Sequence, residues 1–245
     1  MKGTINTKKD LLINLSLYKS KARGYQCLGP STVADASTFE NSCPLSTWVA
    51  TRYKPAPDNE FLARWQLRHT AVLNQMHDLL LAKYPGVEIK MEVPLQSIDM
   101  CGNTLFGSPD AVLVFPSGEI HICDAKSGKR KQTHWIQVGL YALMIQAAAR
   151  FSGEVIPKIH GFTLGYGDGQ GSDCELLSIV GDHALEEVLP EATRKRIRNI
   201  LAESGSATMP KAIPTAGNCR FCKWKDGCTH ATSTAKAVID ATDLL

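Results

Sequence analysis

Between Asn59 and Tyr84 the apolar residues Phe61, Leu62, Trp65, Val72, Leu73, Met76, Leu79 and Leu80 recur at helical spacing, and a stripe of that period predicts one long amphipathic helix. Pro85-Gly86 ends it. Short apolar runs follow, Val87 to Leu95, Ala111 to Phe115 and Glu119 to Ala125, and these predict strands. A second helix is predicted from about Thr133 to Arg150, a strand pair over Ile159 to Tyr166 and Glu175 to Val180, and a third helix over about His183 to Glu203. Residues up to about 30 are polar and mixed, and Ser31-Thr32 with Asp35 opens a short helix. Helices and strands in this order predict an α/β fold with an antiparallel portion. The expected organisation is an arm over 1–30, a core over 31–203, a linker over 204–217 carrying Ser204-Gly205-Ser206 and two prolines, a cysteine-rich module over 218–230 and a tail over 231–245.

The chain has 245 residues, 44% of them hydrophobic and 21% charged, which suits a folded globular protein and excludes general disorder or a coiled coil. Its net charge of +3 permits a nucleic-acid partner without arguing for one. No apolar run approaches the ~20 residues of a membrane span, and Lys, Asp and Asn interrupt the N-terminus where a signal peptide needs a continuous apolar core. The expected location is therefore cytoplasmic, with no membrane partner. Eight cysteines in a reducing compartment point to metal or cluster ligation wherever they gather.

The segment GSPDAVLVFPSGEIHICDAKSGK carries the strongest chemistry. Pro116-Ser117-Gly118 predicts a three-residue hairpin loop, with Gly118 at the position that takes a positive φ. Pairing Phe115 with Glu119 then brings Asp110 opposite Asp124. Opposed side chains share a face about 4.5 to 5.5 Å apart, and Lys126, two residues beyond Asp124, points to the same face. Like charges so placed destabilise a sheet. A divalent metal removes the penalty, since Mg2+ takes one or two carboxylates together with water and phosphate oxygens, and it stabilises charge developing on a phosphoryl group. Lys126 would orient or help deprotonate the attacking water. The alternative is a solvated edge hairpin in which Lys126 is only a salt-bridge partner; the apolar flanks, Ala111 to Phe115 and Ile120 to Cys123, favour an interior hairpin.

Gly107-Ser108-Pro109-Asp110, Asp124-Ala125-Lys126 and Gln137-Val138-Gly139-Leu140-Tyr141 stand in the order of the G-x-x-D, D/E-x-K and Q-x-x-x-Y elements of RecB-like nucleases of the PD-(D/E)XK superfamily. The chain resembles that family from about Ser31 to His230. The resemblance implies a restriction-endonuclease-like α/β core, with a mixed sheet flanked by helices, and Mg2+- or Mn2+-dependent cleavage of DNA. It implies catalytic roles for Asp110, Asp124, Lys126, Gln137 and Tyr141, the last two on one helix face as i and i+4. It also implies a metal held by Asp110, Asp124 and an upstream helical histidine. Leu73-Asn74-Gln75-Met76-His77 meets the family's G-x-x-x-H pattern in part, with Leu in place of Gly, so His77 is the expected ligand and His69 its competitor.

Cys219-x2-Cys222-x5-Cys228 is a compact thiolate set that lacks one ligand for tetrahedral coordination. On coordination chemistry alone zinc is the default, with His230 as fourth ligand. The resemblance implies a different occupant. In the iron-sulfur members of the family, which include CRISPR-adaptation exonucleases, one upstream cysteine joins three C-terminal ones around a 4Fe-4S cluster. Phe39-Glu40-Asn41-Ser42-Cys43-Pro44 resembles the upstream element, so Cys43, and not Cys27, is the expected fourth ligand of a module formed by N- and C-terminal segments. Cys101, Cys123 and Cys174 read as buried small hydrophobes. Lys129, Arg130 and Lys131 are candidate DNA-phosphate contacts, as are Arg194, Lys195 and Arg198. The glycine run Gly165 to Gly171 lacks the lysine and following helix of a phosphate loop, and reads as a flexible connection between strands.

The sequence is thus read as an iron-sulfur DNA exonuclease that processes single strands or single-stranded ends in CRISPR spacer acquisition, beside an integrase. Three alternatives stand next to it: a phage, repair or recombination exonuclease of the same family, a zinc-stabilised nuclease, and a non-catalytic DNA-binding partner of an integrase or helicase complex. Intact Asp110, Asp124 and Lys126 weigh against the last.

Overall fold

The computed structural model describes residues 21–22, 27–38, 43–54, 58–100, 103–220 and 222–231. The first twenty residues of the expected arm, the tail from 232, residues 39–42 of the upstream cysteine element and Cys101 lie outside them. In chain order the elements are β1 (Lys21–Ala22), β2 (Cys27–Leu28), α1 (Pro30–Thr38), α2 (Pro44–Arg52), β3 (Tyr53–Lys54), α3 (Asn59–Lys83), β4 (Glu88–Met91), β5 (Leu95–Met100) and β6 (Asn103–Gly107). They continue with β7 (Ala111–Val114), β8 (Ile120–Lys126), α4 (Gln132–Ser152), β9 (Ile159–Tyr166), β10 (Glu175–Val180), α5 (Ala184–Val188), α6 (Glu191–Gly205) and α7 (Ala216–Arg220).

A five-stranded mixed sheet runs in the order β10-β9-β8-β7-β4. Only β8 and β9 are parallel, and α4 makes the crossover that parallel neighbours require. The three central strands alternate between two buried faces. Ala111, Leu113, Cys123 and Ala125 meet Val72, Met76 and Leu80 of α3, while Val112, Ile122, Phe162 and Leu164 meet Ile136, Leu140 and Met144 of α4. Each fully buried aliphatic side chain of this kind contributes about 1.5–3 kcal/mol. Asp58 caps α3 by accepting from the Phe61 N–H at 3.0 Å, and Glu60 and Lys83 sit at the ends where the helix dipole favours them. Gly165 and Gly167 serve this packing against Met76 and Val72. A Cβ on Gly165 would lie 2.8 Å from the Met76 sulfur, so glycine lets α3 lie close on β9. The run read as a loose connection thus begins as a buried strand under a helix.

Two expectations are corrected. The helix expected over His183 to Glu203 is two helices, because Pro190 has no N–H to donate and disfavours helical backbone at Leu189. The strand expected over Val87 to Leu95 stops at Met91, where Glu92 takes a positive φ of 46°. The chain then enters a second sheet, ordered β2-β6-β5, for which the sequence carried no signal. Helix α2 is likewise an addition. It is tied to the end of α6 by Trp48 Nε1, which donates to the Ser206 carbonyl at 2.9 Å, and by the buried Arg52 guanidinium, which donates to the Ser204 carbonyl at 2.9 Å and to that of Ser206 at 2.7 Å. Among the described residues no helix is long and apolar enough to cross a membrane.

Candidate active site

The β7–β8 hairpin has the register that its turn dictates. Ala111 pairs with Cys123 and Val114 with Ile120, the Phe115 N–H donates to the Glu119 carbonyl at 2.9 Å, and Gly118 takes φ 82°. Asp110 lies one residue beyond the last pair. There its carboxylate, not its backbone, accepts the Ala125 N–H at 2.6 Å. Asp124 is buried beside it, and Lys126 Nζ forms an ion pair with Asp124 Oδ2. The same ammonium donates to Gln137 Oε1 at 3.0 Å, and Gln137 Nε2 donates to the Tyr141 hydroxyl at 3.0 Å. Gln137 and Tyr141 are one turn apart on α4, so this helix holds the lysine from behind. Gly107 has to be small here, since a Cβ would stand 2.7 Å from the Tyr141 ring and 2.8 Å from Pro30.

The electrostatics are those of two acids sharing one cation. Burial, followed by the charge of Asp124, pushes the Asp110 carboxyl up to about 7, against the partial opposition of the Ala125 N–H and Lys126. Burial raises Asp124 as well, with Lys126 opposing. His69 reaches the pair from α3, its Nε2 3.5 Å from Asp110 Oδ2, and burial lowers its pKa so that the ring favours the neutral form. Two hard oxygen donors with a neutral imidazole at their side suit Mg2+ or Mn2+. Asp110 and Asp124, with His69, would hold such an ion. Among the described residues no three His, Cys, Asp or Glu side chains already form a group that closes on one ion.

Without metal, the pair should cost stability as pH rises. Folded Asp110 keeps its proton to about pH 7, whereas the unfolded chain releases it near the ordinary carboxylate value, so folding loses stability between about pH 4 and pH 7. Asp110→Asn should remove that loss and, in EDTA at about pH 8, be more stable than the wild type by an amount on the order of 2 kcal/mol. Urea midpoints of both proteins across this range measure it. A difference that does not change with pH would contradict the burial of the pair.

The histidine brought to the carboxylates is His69, not the expected His77. His77 lies eight residues further along α3, about 12 Å along its axis, and its ring stands 3.5 Å from Asp78 instead. Glu92, which the sequence reading passed over, is also close. Its N–H donates to the Asp110 carbonyl at 2.9 Å, and its charge acts on both Asp110 and His69. Its positive φ is the kind of backbone strain that gathers at functional sites, and a glutamate so placed leaves no mark in the sequence. Lys129, Arg130 and Lys131 follow β8 on the surface; Lys129 and Arg130 line a cleft with Arg68 and Tyr166, and Arg130 pairs with Glu175.

Cys43, Cys222 and Cys228 pack on one small core with Leu45, Trp48 and Trp224. Burial raises the Cys222 thiol, with Cys43 and Cys228 adding to the shift, and Cys219 is buried one turn before Cys222. Cys123 and Cys174 are buried in the sheet-side core under α3, and Cys27 is buried in β2.

A sequence model of the PD-(D/E)XK nuclease superfamily matches residues 31–229. The chain belongs to this superfamily. As a PD-(D/E)XK nuclease it has the restriction-endonuclease-like fold, with its mixed sheet between helices, and nucleases of this kind generally use Mg2+ or Mn2+. Solved structures similar to it include SSO0001, at TM-score 0.45 and 14% identity over 89% of this chain and 93% of that one. An alkaline exonuclease (LHK-Exo) from Laribacter hongkongensis is similar at TM-score 0.41 and 14% identity, over 72% of this chain and 89% of that one. No curated protein sequence matches the chain.

Proposed function

We propose that this nuclease is a DNA exonuclease that hydrolyses phosphodiester bonds at single strands or single-stranded ends, using Mg2+ or Mn2+ held by Asp110, Asp124 and His69. The observation that carries the reading is the buried carboxylate pair facing an ammonium that Gln137 and Tyr141 hold in place. A bound divalent ion supplies charge for the phosphoryl oxygens and lowers the pKa of water. The protein does the rest. Lys126 spends N–H groups on Asp124 and Gln137 and has one left for the attacking water or a phosphate oxygen. Water adds to phosphorus, the bond from phosphorus to the leaving sugar oxygen breaks, and the water's protons pass to the carboxylates or solvent and to the leaving oxygen.

Cys43, Cys219, Cys222 and Cys228 are proposed to hold a 4Fe-4S cluster that joins the start of α2 to the C-terminal segment. Their spacing supports the iron-sulfur branch of the family, and with it a role in trimming DNA ends for CRISPR spacer acquisition beside an integrase. Lys129, Arg130 and Lys131 would hold phosphates along the approach.

The full chain, incubated with end-labelled linear and closed circular single-stranded DNA, should release short products from the linear substrate alone, and only with Mg2+ or Mn2+. Cleavage in EDTA, cutting of the circle, or inertness of folded protein toward all DNA with both metals would overturn the reading.

A further inference from the structure

The apolar stripe of α3 is longer than the sheet beneath it. Its C-terminal part buries Val72, Met76 and Leu80 completely. The same face continues toward the N-terminus through His69, Trp65 and Phe61, four residues apart, and each step of four turns by only about 40°. There the described residues leave it partly uncovered, with Trp65 46% and Phe61 58% exposed. The bare end is the end that meets the active site. The Trp65 ring lies edge-on to His69 with centroids 4.8 Å apart, and His69 stands against Asp110. One ridge round, Arg64 and Arg68 follow the same half of the helix, and Arg68 faces the cleft of Lys129 and Arg130.

We infer that Phe61 and Trp65 form a stacking track that leads the bases of an unpaired nucleic-acid strand to the carboxylates, with Arg64 and Arg68 on its phosphates. The inference deepens the nuclease reading and rests on it for the substrate class. Two arguments select an unpaired strand over a duplex. A duplex keeps its base faces covered, so exposed rings can stack only on bases that are out of the helix. Phe61 and Trp65 also leave the backbone about 6 Å apart along α3, a spacing that bases stacked about 3.4 Å apart in a duplex do not follow. Aromatic rings next to arginines match a ligand that alternates planar bases with anionic phosphates. The track is continuous with the site, so the strand that fills one fills the other.

The test is binding without cleavage. Fluorescence anisotropy in EDTA compares a fluorescein-labelled oligo(dT) of about twenty nucleotides with a blunt duplex of the same length on the full chain. Trp65→Ala should weaken oligo(dT) binding at least about tenfold, the equivalent of about 1.4 kcal/mol, and leave duplex affinity within about twofold. Trp65→Phe should retain most of the affinity, since it keeps a ring, and Phe61→Ala should weaken it in the same sense. Phe151→Ala, which removes an 82% exposed ring on α4, should change nothing. Unchanged oligo(dT) binding in Trp65→Ala, a parallel loss for the duplex, or a dimer that dissociates on Trp65→Ala with oligo(dT) affinity intact would overturn the track. The outcome is separable from that of the nuclease reading: Trp65-dependent oligo(dT) binding by a chain that cleaves nothing supports the track and removes the enzyme.

Discussion

Asp124→Ala and Asp110→Ala should each lower metal-dependent DNA cleavage at least about a thousandfold, roughly 4 kcal/mol of barrier, with the fold intact. The two variants remove different things. Asp110 also accepts the Ala125 N–H at the end of the β7–β8 ladder, so Asp110→Asn is the cleaner probe, because it keeps that acceptor and loses the charge. Removing Asp124 leaves Lys126 with Gln137 alone. Neither change should unfold the protein, since each relieves repulsion between two buried acids. Lys126→Ala should be as inactive but should still bind Mn2+, because the carboxylates remain and their competing cation is gone. Gln137→Ala should lose less, about tenfold, as Lys126 keeps Asp124 as a partner. Initial rates on end-labelled single-stranded DNA and calorimetric titration with Mn2+ measure both halves. Full activity in folded Asp124→Ala would sink the site.

Protein purified without oxygen should be brown and carry about four irons per chain, and Cys43→Ser should lose colour and stability together. Cys43 is the residue before α2, with Pro44 opening the helix, and its carbonyl accepts the Ser46 N–H at 3.0 Å. Its thiol therefore leaves a helix end beside Cys222 and Cys228, on the core of Trp48 and Trp224. A cluster held by these thiolates would tie α2 to a segment about 180 residues later, and such a tie contributes folding energy as a structural metal does. Its loss should cost on the order of 3 kcal/mol or more, lowering the melting midpoint by at least about 6 °C. Cys27→Ser should keep its iron, since Cys27 sits in β2, paired with Thr104 of β6. Iron content, visible absorption and melting of the variants decide it. A colourless anaerobic preparation with one zinc per chain would replace the cluster with zinc, and iron lost in Cys27→Ser but kept in Cys43→Ser would refute the ligand choice.

What the sequence determined by itself is what short-range physics controls. The period of apolar residues defined α3 and α4 to within two residues of their ends, because one buried face fixes a helix's phase wherever the helix packs. Gly118 and its two neighbours set the hairpin register, and with it the meeting of Asp110, Asp124 and Lys126, because a turn of given length admits one pairing. Tertiary structure alone decided the second sheet, in which β2 pairs with β6 more than seventy residues later, since pairing at such distance leaves no local trace. It also chose His69 over His77. Both lie on α3, and which of them meets Asp110 depends on how far the helix overhangs the sheet. That overhang is set by Val72, Met76 and Leu80 seating on the strands and by Gly165 letting Met76 come close, a fit between surfaces distant in sequence. Among the described residues the same overhang leaves Phe61 and Trp65 about half exposed, because the stripe continues where the sheet has ended.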